Sequence, residues 1–458
     1  AVLDRVNTTF EVWQGTTMSC VQCHTHPYDP IKHEEYYGVY AYFNNTRDSD
    51  KTSDEPNAML LSGPQKSLRE THKSQLEAFR ADGDTISESY KEALNKYLAV
   101  KPLKVPIMQE LPADSSRKSH VFVRGNWLVH GDEVNPSVPE ALNPSASSMP
   151  TDRLELARWL VDPQNPLSAR VMVNRLWEQI FGRGLVETLE DFGSQGSMPT
   201  YPGLLDWLAV EFMNKHQWRV KPLLKEIVMS DTYQQSSTVS KELLEIDPYN
   251  RFLARGPRIR LSAEQIRDQA LAVSGQLNHR VYGASVMPPQ PEGVWNVIRH
   301  RARWETSDNP ENQNRRALYT FWRRVSPYPS MLTFDATSRE FCVSRRIRTN
   351  TPLQAFVTLN DPVFFEASKV LAAKMFSTSG EIEEQIRFAF KQALFRNPTD
   401  NEVSTLKTLF SEALELYQQQ PEEVAAITKE IDIKTPEMAA TINLAVAIMN
   451  LDETVTKG

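Results

Sequence analysis

The sequence predicts a mainly α-helical protein carrying one small β-hairpin, and three observations predict it. Apolar side chains at Val173, Leu176, Trp177, Ile180 and Phe181 recur at i, i+3, i+4, i+7 and i+8, the spacing of one helix face, before Gly182 stops the run. Helix-start signals recur along the second half. Ser262 precedes a helix expected from Ala263 to Leu277, Thr399 and Glu402 form a capping box after Pro398, and Thr435-Pro436 is an N-cap with proline in the first helical position. Strand alternation is confined to Ser119 to Gly131, which reads as a strand, a turn at Gly125-Asn126 and a second strand.

Taken in order, residues 1–50 hold a dense aromatic cluster of Phe10, Trp13, Tyr28, Tyr36, Tyr37, Tyr40, Tyr42 and Phe43. Such rings can pack a flat macrocycle or simply build a core. Residues 51–100 are polar and helix-prone, as expected of a helical excursion covered by solvent. A proline-rich stretch from Pro102 to Pro150 encloses the hairpin at 119–131. It ends in Pro136, Pro139, Pro144 and Pro150 with Ser145 to Ser148, an extended linker. The expected organisation is therefore a first domain over 1–145 and a helical second domain over 151–458.

At 458 residues the chain is long enough for two or three domains, and its 40% hydrophobic and 24% charged content is that of a globular protein. The net charge of −7 argues against a nucleic-acid partner. The longest apolar run, Ile442 to Leu451, is interrupted by Asn443 and Asn450 and is too short for a membrane span.

Cys20-Val21-Gln22-Cys23-His24 is a C-x-x-C-H run, the pattern by which a haem is attached covalently to a chain. Two thiols three residues apart can reach the two vinyl groups of one porphyrin, and the next residue then falls under the iron. With 3 Cys and 9 His in 458 residues, chance is a poor explanation for the run. A thioredoxin-like dithiol would need a strand before the pair and a helix opening at it, and a structural zinc site would need a second ligand pair; neither pattern is present. The reading is one haem c per chain, held by Cys20 and Cys23 with His24 as proximal iron ligand. Covalent attachment of this kind is made outside the bacterial inner membrane. The expected location is thus the periplasm or cell surface, with an export signal on a segment preceding Ala1.

The stretch Asp4-Arg-Val-Asn-Thr-Thr9, then Cys20-Val-Gln-Cys-His-Thr-His26, Asp29-Pro-Ile31 and Tyr36-Tyr37, resembles the cytochrome-like domain of large planctomycete-type exported proteins of unknown function. Arg170-Val-Met-Val-Asn-Arg-Leu-Trp177, Phe181-Gly-Arg-Gly-Leu185, Asp191-Phe-Gly193, Leu204-Leu-Asp-Trp-Leu208, Leu261-Ser-Ala-Glu264, Ile266-Arg-Asp268, Arg345-Arg346 and Thr349-Asn-Thr-Pro-Leu-Gln-Ala355 resemble its companion domain. The resemblance implies the C-terminal part of a cytochrome-like domain over 1–145 and its companion over 151–458. It implies no biochemical activity.

The sixth iron position separates a carrier from an enzyme, since a second strong ligand closes the iron. His120, at the head of the hairpin in a run similar to the family pattern, is the candidate distal ligand; the alternatives are another His or a Met, Met18 included, with His120 a surface strand residue. His26 is too near His24 along the chain to reach the far haem face easily. Its expected place is around the haem, on a propionate or with Asp29 on a second metal, the other reading being a distal acid/base group if the loop folds back. His33 reads as exposed. Arg251, Arg255, Arg258, Arg260 and Arg267 form one basic cluster and Arg339, Arg345, Arg346 and Arg348 another. Either suits propionates, an anionic polysaccharide or a partner's acidic patch, or else ion pairs within the fold. Cys342 reads as a buried free thiol. Adjacent carboxylates such as Glu34-Glu35 and Glu383-Glu384 read as a solvated face, and no hydrolase motif or Walker loop occurs. Two functions remain open: electron transfer or haem-dependent oxidoreduction with a redox partner protein, and a structural or sensory haem on a polysaccharide- or protein-binding module.

Overall fold

A computed structural model describes residues 1–48, 55–143, 149–294, 304–340 and 342–458. Helices hold 52% of the residues and strands 6%, so the fold is mainly α, as the sequence predicts. The chain forms two compact units: residues 1–10 with 17–165, and residues 11–16 with 166–458.

The first unit is organised on the helix His33–Asn44, in which every residue from Tyr36 to Asn44 is buried. A helix apolar all round belongs at the centre of a core, and this one does so with tyrosines whose hydroxyls must find partners. Tyr36 Oη donates to Asn7 Oδ1 at 3.1 Å, Tyr40 Oη to Asn44 Oδ1 at 3.1 Å, and Tyr42 Oη to the Pro150 carbonyl at 2.7 Å. Gly38 lets the chain after the hairpin cross against the helix: Ser137 N–H donates to Gly38 O at 3.2 Å, and a Cβ on Gly38 would lie 2.0 Å from Ser137 Oγ. The aromatic cluster of the first fifty residues is thus mostly core. Phe10, Tyr36 and Tyr37 are fully buried, whereas Tyr28 stands 64% exposed.

The helical excursion is a pair of helices, Gly63–Ala81 and Glu88–Ala99, with a small core of Leu76, Tyr90 and Ala93. It is closed at its base by an antiparallel ribbon in which Asn57–Leu60 pairs with Leu103–Pro106. Residues 51–54 of the predicted excursion lie outside the described residues. The β-hairpin forms, but its second strand is His130–Val134 rather than one ending at Gly131. The turn is longer than two residues because Val123–Gly125 makes a 3₁₀ turn with Arg124 at φ 53° and Gly125 at φ 72°. Pro144 and Ser145 to Ser148 of the predicted linker lie outside the described residues. Beyond them, the helix Arg153–Leu160 packs in the first unit, with the Trp159 ring 6.3 Å from that of Phe10, which carries that unit to Asn165.

The second unit has two helical cores. In the first, Ser168–Phe181 packs against Pro202–Asn214 and Val220–Val228 through Val173, Trp177, Phe181, Leu205, Leu208, Phe212, Leu223 and Ile227. Val173, Trp177 and Phe181 of the predicted apolar face are buried here, with Leu176 and Ile180 partly buried against them, and Gly182 ends the helix at φ 79°. Asn174, fully buried, fixes the chain that follows by a two-point clamp on Val186, accepting from its N–H and donating to its carbonyl at 2.9 Å each. In the second core, Pro436–Met449 and Pro362–Thr378 pack centrally with Ala263–Ser274, Ile382–Leu394 and Asp400–Gln419. The Thr399 capping box and the Thr435 cap are present as the sequence predicts, and Ser262, expected to precede a helix, caps it in a capping box with Gln265. The helix after Ser262 stops at Ser274, however, three residues short of Leu277, because Gly275 turns left-handed at φ 77°. The apolar run 442–451 lies mostly in the central helix Pro436–Met449, and Tyr417 Oη donates to the Asn443 Oδ1 within it at 3.3 Å. No helix among the described residues is long and apolar enough to cross a membrane.

Candidate cofactor-attachment site

The C-x-x-C-H run begins in a 3₁₀ turn, Met18–Gln22. With three residues per turn, side chains at i and i+3 eclipse one another, and the sequence uses this in opposite directions. Met18 and Val21, three apart, are buried at 1% and 0% exposure. Cys20 and Cys23, also three apart, are exposed free thiols. Met18 therefore anchors the turn in the core.

Gln22, between the cysteines, is held from the central helix. Its carbonyl accepts from Tyr37 Oη at 2.8 Å and from His33 Nε2 at 3.1 Å. Burial, with the Cys23 thiol nearby, pushes the Tyr37 phenol up to about 12, so it keeps its proton and donates at neutral pH. His33 is half-buried, not exposed as its lack of a motif suggests, because helix geometry carries its ring to within 5.3 Å of the Tyr37 ring. The two residues stand at i and i+4, a spacing that puts them on one face. That spacing just after the motif was the available signal for both.

The partners of each imidazole fix its tautomer, since a carbonyl can only accept and a backbone N–H can only donate. His24 is exposed, and its Nδ1 lies 2.7 Å from Thr25 O, so Nδ1 carries the hydrogen and Nε2 keeps its lone pair. His26 is the reverse. Its Nδ1 accepts from Asp29 N at 2.7 Å and its Nε2–H faces Thr17 Oγ1 at 3.0 Å. Buried at 8% exposure and bonded at both nitrogens, His26 ties the loop 26–31 to the residue before the turn, and the second-metal alternative with Asp29 finds no free ring nitrogen. Among the described residues, no group of three or more His, Cys, Asp or Glu side chains is placed to hold a metal ion.

The hairpin reaches this site at its turn. A Cβ built on Gly125 would lie 2.8 Å from Cys23 Sγ and 3.3 Å from Gln22 O. His120 sits farther along the strand, its ring stacked on His130 at 5.0 Å and 9°, its Nδ1 3.3 Å from Gly131 O. His130, also stacked on Phe122 at 5.7 Å, has no sequence motif to announce it.

The two arginine clusters are engaged inside the second unit. Arg251 pairs with Glu187 at 3.1 Å, Arg258 and Arg260 with Asp452 at 3.0 and 3.1 Å, and Arg345 with Glu190 at 3.1 Å. Arg346 binds Glu264 through both nitrogens at 2.6 and 3.0 Å. Arg255, Arg267 and Arg348 donate to backbone carbonyls, and Arg339 lies 4.8 Å over the Trp322 ring. Of the paired carboxylates, Glu35 is more than solvated: it accepts from Lys32 N at 2.7 Å and Glu140 N at 2.8 Å. Cys342 is exposed rather than buried, since its segment is irregular and has no apolar face to cover it.

Residues 1–48, which include Cys20, Cys23 and His24, match the family described as "Protein of unknown function (DUF1549)". Residues 152–410 match the family described as "Protein of unknown function (DUF1553)". No curated protein and no solved structure matches the chain. Since the second match spans more than half of the 458 residues, the chain belongs to the planctomycete-type DUF1553 family, with a DUF1549 segment at its start.

Proposed function

We propose that this is an exported c-type haem protein with a redox role, carrying one haem c per chain on a cytochrome-like first unit. The observation that carries the reading is the tautomer of His24: its Nδ1–H is committed to Thr25 O, which aims basicity at the exposed Nε2, the nitrogen an iron ligand uses. The thiols of Cys20 and Cys23 face outward on the same eclipsed 3₁₀ spacing, open to thioether formation. When bound, the haem supplies a one-electron iron couple. The chain's own part is to fix the attachment loop: Met18 and Val21 root it, Tyr37 and His33 hold Gln22 O, and His26 closes the loop beyond His24. His120 is the proposed distal ligand, because Nδ1–H turned toward Gly131 O leaves its Nε2 as an acceptor. The periplasm or cell surface is the proposed location, and a redox partner protein the proposed partner.

The test is production in a bacterial periplasm with the cytochrome c maturation machinery, followed by a pyridine haemochrome spectrum and intact mass. One covalent haem per chain, lost when Cys20 and Cys23 are both replaced by alanine, is the expected result. Fully matured protein without haem bands would overturn the reading. Carbon monoxide added to the reduced protein reports on His120: no spectral change means a closed iron, and a shift in the wild type means that His120 does not ligate it.

A further inference from the structure

The turn joining the hairpin strands carries four apolar side chains largely bare to solvent. Val123 is 44% exposed, Trp127 66%, Leu128 69% and Val129 46%. The turn is nonetheless well built. Val123 N–H donates to Val129 O at 3.0 Å, Val129 N–H to Asn126 O at 2.9 Å, and Leu128 N–H to Asn126 Oδ1 at 3.1 Å. A bonded turn that holds a tryptophan and a leucine outward presents a preformed apolar surface, and single exposed residues are common where such a group is not. Its place is set by Gly125, whose backbone, at φ 72°, leaves no room for a side chain beside Cys23 Sγ. Tyr37 joins the same two segments from beneath, through Gln22 O at 2.8 Å and Phe122 O at 3.5 Å. Any planar apolar group bonded to Cys23 leaves its sulfur next to this turn.

We infer, resting on the haem reading above, that the turn Val123–Val129 is an apolar wall of the haem pocket. Trp127, Leu128 and Val129 take porphyrin surface out of water, and the bare backbone at Gly125 makes space for the thioether at Cys23. The wall lowers the solvent exposure and local polarity of the iron couple, two of the levers that set a haem potential.

Hydroxyl-radical footprinting read by mass spectrometry tests this on the whole chain, matured with haem and, for comparison, as the haem-free Cys20→Ala/Cys23→Ala variant; both cysteines are exposed, so the replacements spare the core. Trp127 and Leu128 are expected to oxidise several-fold more slowly in the haem-loaded chain, while Met59 and Leu60, exposed on the ribbon of the same unit, are unchanged. A second readout is Leu128→Asp with haem retained, for which the midpoint potential falls. Equal oxidation of Trp127 in a chain whose haemochrome shows one haem would overturn the wall and leave the haem reading standing. Protection already present in the haem-free variant would also overturn it, since something other than haem then covers the turn. A matured chain without haem sinks both.

Discussion

Tyr37 and Gln22 are joined across the first unit by a phenol hydrogen bond of 2.8 Å, which ties a fully buried helix residue to the carbonyl between the two cysteines. The 3₁₀ turn that opens the C-x-x-C-H run is anchored in the core by Met18 and Val21. Its remaining order comes from directed polar contacts, of which the Tyr37 and His33 bonds to one carbonyl are central.

Tyr37→Phe keeps the ring packing and removes the donor. Net loss of such a bond is worth about 1 kcal/mol, because Gln22 O still accepts from His33. Removing His33 as well leaves that carbonyl without either donor. The double variant Tyr37→Phe/His33→Ala is therefore expected to lose more than the sum of the single losses, by about 0.5–1 kcal/mol in a urea double-mutant cycle. Strict additivity would mean that the two donors do not share the acceptor in solution.

Gly38→Ala should run against helix propensity. Alanine is favoured over glycine within a helix by about 1 kcal/mol, yet here its Cβ would meet Ser137 Oγ at 2.0 Å and Ser137 O at 3.2 Å. The serine hydroxyl can rotate away; the backbone carbonyl cannot without moving the chain. A loss of about 1–3 kcal/mol is expected, with partial recovery in Gly38→Ala/Ser137→Gly, where the serine side chain is gone. Stabilisation by the single change would show that the segment after the hairpin does not cross the helix at Gly38.

What the sequence reveals of this architecture follows from how local each signal is. The helix at 168–181 was legible because its apolar spacing and its stop at Gly182 lie within fifteen residues. The Thr399 capping box is four residues long and equally local. Leu277, by contrast, extends the apolar stripe past Gly275, so the pattern alone overruns the helix end that the glycine's left-handed backbone imposes. The shift of the second hairpin strand depends on Arg124 adopting φ 53°, for which an arginine gives no warning. At the candidate site the three motif residues were readable and their surroundings were not. His26 answers to backbone groups of Asp29 and to Thr17, and Gly125 approaches Cys23 from a hundred residues away. The arginines show the same limit: the Asp452 that pairs with Arg258 and Arg260 lies 194 and 192 residues from them along the chain.

Asn174 offers a sharper test of a polar clamp. Asn174→Ala strips Val186 of both partners in a fully buried place, leaving an N–H and a carbonyl unsatisfied. A loss of about 2–4 kcal/mol is expected, well above the ~1 kcal/mol of an exposed bond. Asn174→Asp keeps the acceptor for Val186 N–H but sets a buried carboxylate oxygen against Val186 O, so at neutral pH it should cost at least as much as alanine. If alanine costs no more than an exposed substitution, water has entered the site.

Asp361 gives a pH dependence whose sign is opposite to that of most carboxylates. It caps the central helix Pro362–Thr378 by accepting from Val363 N at 3.0 Å, but only 5% of it is exposed, and burial raises its carboxyl from 3.8 to about 6 despite the Val363 bond and the nearby Arg267 charge. A carboxyl whose folded value lies above its unfolded one binds its proton more tightly when folded. Its contribution to stability is then fully present below about pH 4 and is lost as pH rises through about 6. The span corresponds to about 3 kcal/mol at most. Asp361→Asn retains the capping oxygen and cannot ionise, so background titrations cancel in the comparison of the two proteins. Urea midpoints at pH 4.5, 6 and 7.5 should move steadily in favour of the asparagine variant as pH rises, and a difference independent of pH would mean that the Asp361 carboxyl titrates alike in the folded and unfolded chain.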